Sequence, residues 1–352
     1  MKHRLAAIFI SLAAAALPFQ AGAAKNAGAP VFADAPAVRE FIAEMHVRHG
    51  FDAAHLARQF ASIRSNPAVL RAIQPAAVPE LQRSWQRYRA RFLNEQRLTH
   101  GLRFWREHGA TLVRAEAIYG VPQEIIVAII GVETEYGRNA GKFGVLEALA
   151  TLAFDYPPRA GFFRGELEQF LLMARENGTP PLDYKGSYAG AIGIPQFMPS
   201  SQRRFAVDFD ADDRVDLRGS AADAIGSVAR FLSMHGWQPG GPVAVPAGVE
   251  GDAAALVAAG MKPSLPLREM RERGVLPLVA DAERFADAPA ALIDLVSPDQ
   301  PTEYWIGFDN FYAITRYNRS SFYAMSVFLL AESLREVQSA AASAADREAP
   351  EK

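Results

Sequence analysis

The 352-residue sequence contains no cysteine. That absence removes disulfide scaffolds, thiolate zinc sites, cysteine nucleophiles and lipid attachment through a cysteine. An excess of one charge is also missing, since 37 basic residues stand against 39 acidic ones for a net charge of −2. Without surplus cations to neutralise phosphates, nucleic acid is excluded as the main partner. Long hydrophobic runs are scarce. One follows Lys2 and Arg4, from Leu5 to about Leu17, and precedes Ala21-Gly22-Ala23. A basic start, a short apolar stretch and a small-x-small site form a cleavable secretory signal over residues 1–23. The stretch is too short for a comfortable membrane span, although an uncleaved anchor is the alternative. No other segment reads as a transmembrane helix, so the mature chain is expected to be exported and soluble.

What is present is a folded composition, half hydrophobic and 22% charged. Residues 24–36 are rich in Ala, Gly and Pro and read as a linker. Helical spacing then dominates 37–120, with Val38, Phe41, Ile42 and Met45 on one stripe and Leu56, Phe60 and Ile63 on another. Residues 93–119 predict two helices broken near His108-Gly109. Residues 121–240 are again mainly helical, apart from a glycine-rich stretch at 185–199. Residues 241–308 change character: Pro242–Pro246, Ala291–Val296 and Thr302–Gly307 read as short strands between Pro/Gly turns. Helical patterning returns over 309–338, and the Ala/Glu-rich tail 339–352 is expected to fray.

Val121-Pro122-Gln123-Glu124 opens a helix, with proline in the first turn and an acid at the positive dipole end. Glu133 follows Ile129 by four residues, Ile126 by seven and Ile125 by eight, so it shares the face that must be buried. Glu135 points away. Burial disfavours the charged form of Glu133 and would keep a proton ready for an alcohol leaving group. A structural ion pair with Arg138 is the competing reading. Gly186–Ser201 mixes glycines with isolated polar and aromatic residues, which suits either sugar recognition or tight helix packing.

Gly131-Val132-Glu133-Thr134-Glu135-Tyr136-Gly137, the Gly186–Ser201 stretch and Tyr317-Asn318-Arg319-Ser320-Ser321-Phe322-Tyr323 together resemble the lytic murein transglycosylase B family. The resemblance runs from about Val38 to Leu334. It implies a mainly α fold with a small β-containing insertion, in which a lysozyme-like catalytic core carries an additional helical subdomain. By the same resemblance Glu133 is the single catalytic acid/base. Ser187 and Gln196 match groove residues, Tyr317, Asn318 and Tyr323 match the motif that closes on the glutamate, and Tyr88 matches a groove tyrosine. The implied substrate is the glycan strand of peptidoglycan, cut between N-acetylmuramic acid and N-acetylglucosamine to leave 1,6-anhydromuramyl ends. Cell-wall synthesis or division proteins are candidate partners, and the implied location is the periplasm, as a non-lipoprotein. No cofactor is expected for the chemistry.

Asp208-Phe209-Asp210-Ala211-Asp212-Asp213-Arg214-Val215-Asp216 sets carboxylates at positions 1, 3, 5 and 9 of an EF-hand-like loop, with the Arg214 carbonyl at position 7. The resemblance implies a structural calcium ion here, the loop being closed by Asp223. Asp213 stands where the turn prefers glycine, and Gly219 where glutamate is usual. His46-x-x-His49 lacks a metalloprotease context and reads as a surface pair. Gly137–Phe143 is too short for a phosphate loop, and Asp155 and Glu166 read as structural. Two rival functions share the groove: a hydrolase that activates water, and a non-catalytic murein-binding scaffold.

Overall fold

The computed structural model describes Phe32 and residues 35–74, 84–251 and 253–348; the expected signal and most of the linker lie outside them. In chain order the elements are α1 (Pro36–His49), α2 (Ala53–Ala61), α3 (Pro67–Ile73), α4 (Trp85–Ala90), α5 (Glu95–Glu107), α6 (Gly109–Tyr119) and α7 (Gln123–Thr134). There follow β1 (Phe143–Gly144), α8 (Val145–Asp155), α9 (Ala160–Glu176), β2 (Lys185–Gly186), α10 (Pro199–Phe205) and α11 (Ala221–Met234). The chain ends with β3 (Ala244–Val249), α12 (Ala254–Ala258), β4 (Leu265–Pro266), α13 (Leu267–Glu272), β5 (Val275–Pro277), β6 (Pro289–Leu295), β7 (Glu303–Gly307), α14 (Asp309–Tyr317) and α15 (Ser321–Glu348). Four early helices start where a short polar side chain accepts an orphan backbone N–H: Asp52 for α2, Asn66 for α3, Ser84 for α4 and Asn94 for α5.

The described residues divide into two compact units. One contains 84–136 and 228–348. Its sheet has the order β4-β6-β7-β3-β5 with every pairing antiparallel. Leu292 and Ile306 face a core with Leu256, Leu267, Met270 and Val275. On the opposite face Trp305 meets Phe328 of α15 edge-on, with ring centres 6.2 Å apart. β6 is thus covered on both faces, which explains its unbroken apolar run Ala290–Ile293. The short strands β4 and β5 carry too few residues to show a periodicity, and the sequence did not reveal them. In the same unit α7 packs against α5 and α15.

The other unit contains 35–74 and 137–227. Its centre is the α8–α9 pair, where Leu146, Leu149, Phe163, Leu167 and Phe170 are fully buried. Phe41, Phe60 and Phe154 form an aromatic cluster with centroid spacings of 6.0 to 6.4 Å. His49 spends its ring on Glu168 at 2.9 Å.

Two boundaries differ from expectation. Pro122 is the residue before α7 and not in its first turn. Helix α15 continues to Glu348 beyond Ser339, through an alanine-rich stretch whose residues favour helix. Among the described residues no single helix is long and apolar enough to cross a membrane.

Candidate active site

Every residue of α7 from Ile125 to Thr134 is buried. The burial of Glu133 therefore does not depend on its sharing a stripe with the isoleucines, because the helix is enclosed all round. Glu133 is 9% exposed. Its Oε1 accepts a 2.6 Å hydrogen bond from the Tyr323 phenol, and it makes no ion pair among the described residues. Burial pushes its carboxyl up to about 8, with the Tyr323 hydrogen bond pulling weakly the other way. No second carboxylate contributes to that shift among the described residues. The group keeps its proton at neutral pH, as a general acid must.

Three tyrosines converge on this carboxyl. Tyr323 comes from the first turns of α15 and is fully buried. Tyr317 ends α14; its ring lies nearly parallel to that of Tyr323 (6.4 Å, 13°) and edge-on to Phe231 at 4.8 Å. Tyr88 projects from α4 and packs on Phe92 and Phe322 at 5.2 and 5.6 Å. Burial raises all three phenols above their ordinary range, and the neighbouring Glu133 charge adds to it. They are hydrogen-bond donors throughout the neutral range. The Tyr88 hydroxyl is buried and has no partner among the described residues. α4 is fastened to the sheet by Trp85 N to the Val296 carbonyl (2.8 Å), Gln86 N to Ser297 Oγ (3.1 Å) and Trp85 Nε1 to Glu303 Oε2 (3.2 Å). Asn318 terminates α14, and its side-chain amide makes no hydrogen bond among the described residues.

Ser187 and Gln196 belong to the other unit and are described within it. Ser187 Oγ accepts the backbone N–H groups of Ala189 and Ala191 at 3.3 and 3.0 Å. Gln196 adopts a left-handed backbone (φ 51°), and its Nε2 donates to the carbonyls of Ala140 and Gly193. The glycines of this stretch answer to close approach of the protein's own chain. A Cβ at Gly193 would stand 2.3 Å from the Leu217 carbonyl oxygen, and Ile194 N donates to that same oxygen.

In the same unit Asp208, Asp210 and Asp212 place carboxylate oxygens within 4.8 Å of one another. Asp208 accepts backbone N–H groups of Ala211, Asp212 and Asp213 at 2.7, 3.2 and 2.8 Å. Asp213 takes the left-handed conformation expected of glycine, with φ of 67°, which aspartate tolerates better than most residues. Asp223 lies outside the converging trio; its oxygens accept Phe209 N and Asp216 N at 2.7 and 2.8 Å. Arg214 is exposed, and its N–H bonds Asp212. Three converging carboxylates suit a hard divalent cation. Glu166 is buried but committed to Ser200, whose N and Oγ donate at 3.0 and 2.6 Å, and Asp155 is exposed.

Nothing in the sequence pointed to Phe231 beside Tyr317 or Trp85 beside Phe322, nor to the polar residues on α5 that meet the end of α7. Phe231 and Trp85 sit in helices with ordinary core spacing, so nothing distinguishes them as wall residues.

Residues 33–332 match the family model described as the transglycosylase SLT domain. The chain belongs to this family of lytic murein transglycosylases. It is an enzyme that acts on peptidoglycan. It is 41% identical over 316 residues to membrane-bound lytic murein transglycosylase B of Escherichia coli strain K12, covering 86% of this chain and 84% of that protein. The solved Escherichia coli lytic transglycosylase Slt35 in complex with calcium superposes with a TM-score of 0.76 at 40% identity, over 87% of this chain and 95% of the other. SltB3 of Pseudomonas aeruginosa, solved with NAG-anhNAM-pentapeptide, gives a TM-score of 0.72 at 31% identity, over 84% and 78%. As the motifs implied, this transglycosylase has a mainly helical, lysozyme-like fold with a small sheet.

Proposed function

We propose that this transglycosylase cuts the bond between N-acetylmuramic acid and N-acetylglucosamine with Glu133 as its only acid and base. The observation that carries the reading is a buried carboxyl held up to about 8, with one phenol donor and no carboxylate partner among the described residues. Paired-carboxylate glycosidases place a second acid near the first to activate water or to form a covalent intermediate. Here Glu133 gives its proton to the glycosidic oxygen as the bond breaks. The substrate's own N-acetyl group shares the positive charge that develops on the muramyl C1. The resulting carboxylate then takes the proton of the muramyl 6-hydroxyl while O6 bonds to C1, so the glutamate ends protonated as it began. Because the nucleophile belongs to the substrate, its proximity can supply up to roughly 7–11 kcal/mol of the barrier. The complex of SltB3 with an anhydro-muramyl ligand supports this product.

Around this acid, the Tyr88 hydroxyl and the Asn318 amide supply polar groups for sugar hydroxyl and acetamido functions, Tyr317 supplies an aromatic wall, and Tyr323 holds the carboxyl from behind. Ser187 and Gln196, in the other unit, keep in this reading the sugar-contacting role that their motif implies. The 208–216 loop holds a structural Ca²⁺ through Asp208, Asp210, Asp212 and the Arg214 carbonyl, with Asp223 bracing the loop's backbone and offering its remaining lone pairs. The calcium complex of Slt35 supports that assignment. The enzyme is exported to the periplasm by residues 1–23 and cut after Ala23.

Mass spectrometry of products released from purified sacculi tests the chemistry. Anhydromuramyl ends are the expected result. Products heavier by one water, with reducing ends, would replace the reading with a hydrolase.

A further inference from the structure

The turn that ends α7 runs against the preferences of its residues. Glu135, Tyr136 and Gly137 adopt φ values of 51°, 62° and 85° in succession. Left-handed backbone suits glycine, and a glutamate followed by a tyrosine there is strained. The same chain shows the relaxed solution twice, ending α1 on Gly50 and α6 on Gly120 at φ 67° and 69°. At α7 the cap position carries Glu135 instead. Such a conformation persists only when its surroundings enforce it.

Helix α5 does the enforcing. Gln96 Nε2 donates to Glu135 Oε1 at 2.7 Å, and His100 Nδ1 approaches the same oxygen at 3.0 Å. Against a carboxylate that nitrogen must be the donor, which fixes the proton on Nδ1. Residues 96 and 100 lie one turn apart on one face of α5. Beside them Arg97 Nη1 donates to the Gly131 carbonyl, in the last turn of α7. The Tyr136 ring is seated at the same place. A Cβ at Gly101 would stand 2.3 Å from its hydroxyl oxygen, and one at Gly131 would stand 2.5 Å away, so both glycines make its slot.

We propose that Gln96 and His100 are positioning residues: by gripping Glu135 they hold a strained turn and so fix the last turn of α7, where Glu133 meets Tyr323. The proposal rests on Glu133 being the acid/base. A cap needed only for folding would be served better by glycine, which takes this conformation without strain. An acidic side chain there has value through what it grips.

Glu135→Gly separates the two roles, because it removes the grip and relieves the strain together. The expected result is a melting temperature equal to or above that of the parent, KM little changed, and kcat lower by about ten- to a hundredfold, the scale of a small misplacement of a reacting group. The alkaline limb of the kcat profile should also move to lower pH as Glu133 becomes less sheltered. Gln96→Ala/His100→Ala should reproduce the kcat loss with Glu135 intact. His100→Asn, whose amide nitrogen can stand near the position of Nδ1, should recover part of it. Wild-type kcat in Glu135→Gly overturns the proposal, and so does a kcat loss that merely follows a fall in folded protein. Glu133→Gln measured alongside keeps the two readings apart: if that variant turns over normally, the acid/base reading has failed whatever the Glu135 variants show.

Discussion

Around Glu133 one carboxyl is buried and given a single phenol donor among the described residues, whereas in the 208–216 loop three carboxylates stay near the surface, with Asp208 accepting three backbone N–H groups, Asp212 one and Asp210 the Ser220 hydroxyl. Glu166 stands between these cases, being buried but supplied with both a backbone and a hydroxyl donor from Ser200. Hydrogen bonds to the ionised form favour it, and desolvation opposes it. Burial raises Glu133, Glu166 and Asp223 alike, and the donors each receives pull against it: the Tyr323 phenol at Glu133, Ser200 at Glu166, and the Phe209 and Asp216 N–H groups at Asp223.

The largest test of that contrast is Glu133→Gln. Turnover on sacculi should fall by roughly 10²–10⁴-fold, the usual contribution of a general acid, while sacculus binding in a pull-down persists. The same variant should report the cost of burial. A carboxyl raised from 4.5 to about 8 by folding stabilises the fold fully below pH 4.5 and loses that contribution as pH rises through 8. Glu133→Gln should therefore melt near the parent at pH 4.5 and several degrees above it at pH 8.5. Equal differences at both pH values would mean that Glu133 is not sheltered.

Next in size is Tyr323→Phe. The lost phenol bond favoured the ionised carboxyl, so Glu133 should hold its proton more tightly. The alkaline limb of kcat/KM should move upward, and kcat should fall about tenfold because the carboxyl is less well held and is a poorer leaving base for its proton. A limb that stays in place would remove Tyr323 from the protonation argument.

The smallest effect belongs to the loop. Chelation should lower the melting temperature by about 2–5 °C and leave the initial rate at room temperature within about twofold. Superimposable melting curves with and without chelator would dismiss a bound ion.

How much of this was legible in the sequence depended on how local each signal was. Glu133, Tyr88, Tyr317, Asn318 and Tyr323 could be named from short motifs, and the strands centred on Ala291–Leu295 and Glu303–Gly307 from their alternation with turns. The convergence of Asp208, Asp210 and Asp212 was visible because alternating aspartates in one loop are written in neighbouring residues. What stayed hidden was non-local. β4 and β5 exist only because β6 and β3 offer them edges, and Gln96 and His100 matter only because α5 packs on α7. Sharing a stripe with the isoleucines is only part of why Glu133 is buried, since α7 is enclosed on every side from Ile125 to Thr134. The glycines of 186–193 were read as room for a ligand or for packing, and those with close neighbours are filled by the protein's own atoms.

If Tyr88 contacts the glycan as proposed, its hydroxyl, which has no partner among the described residues, has a consequence for selectivity. In the resting enzyme a buried hydroxyl without a partner forfeits about 1–3 kcal/mol relative to one that is satisfied. A glycan that brings an acceptor to that position recovers the deficit on arrival, and one that lacks it leaves the deficit standing. Discrimination of this kind needs no clash and no moving part: under the proposed role, the open valence of one phenol would rank sugars by what they can offer it.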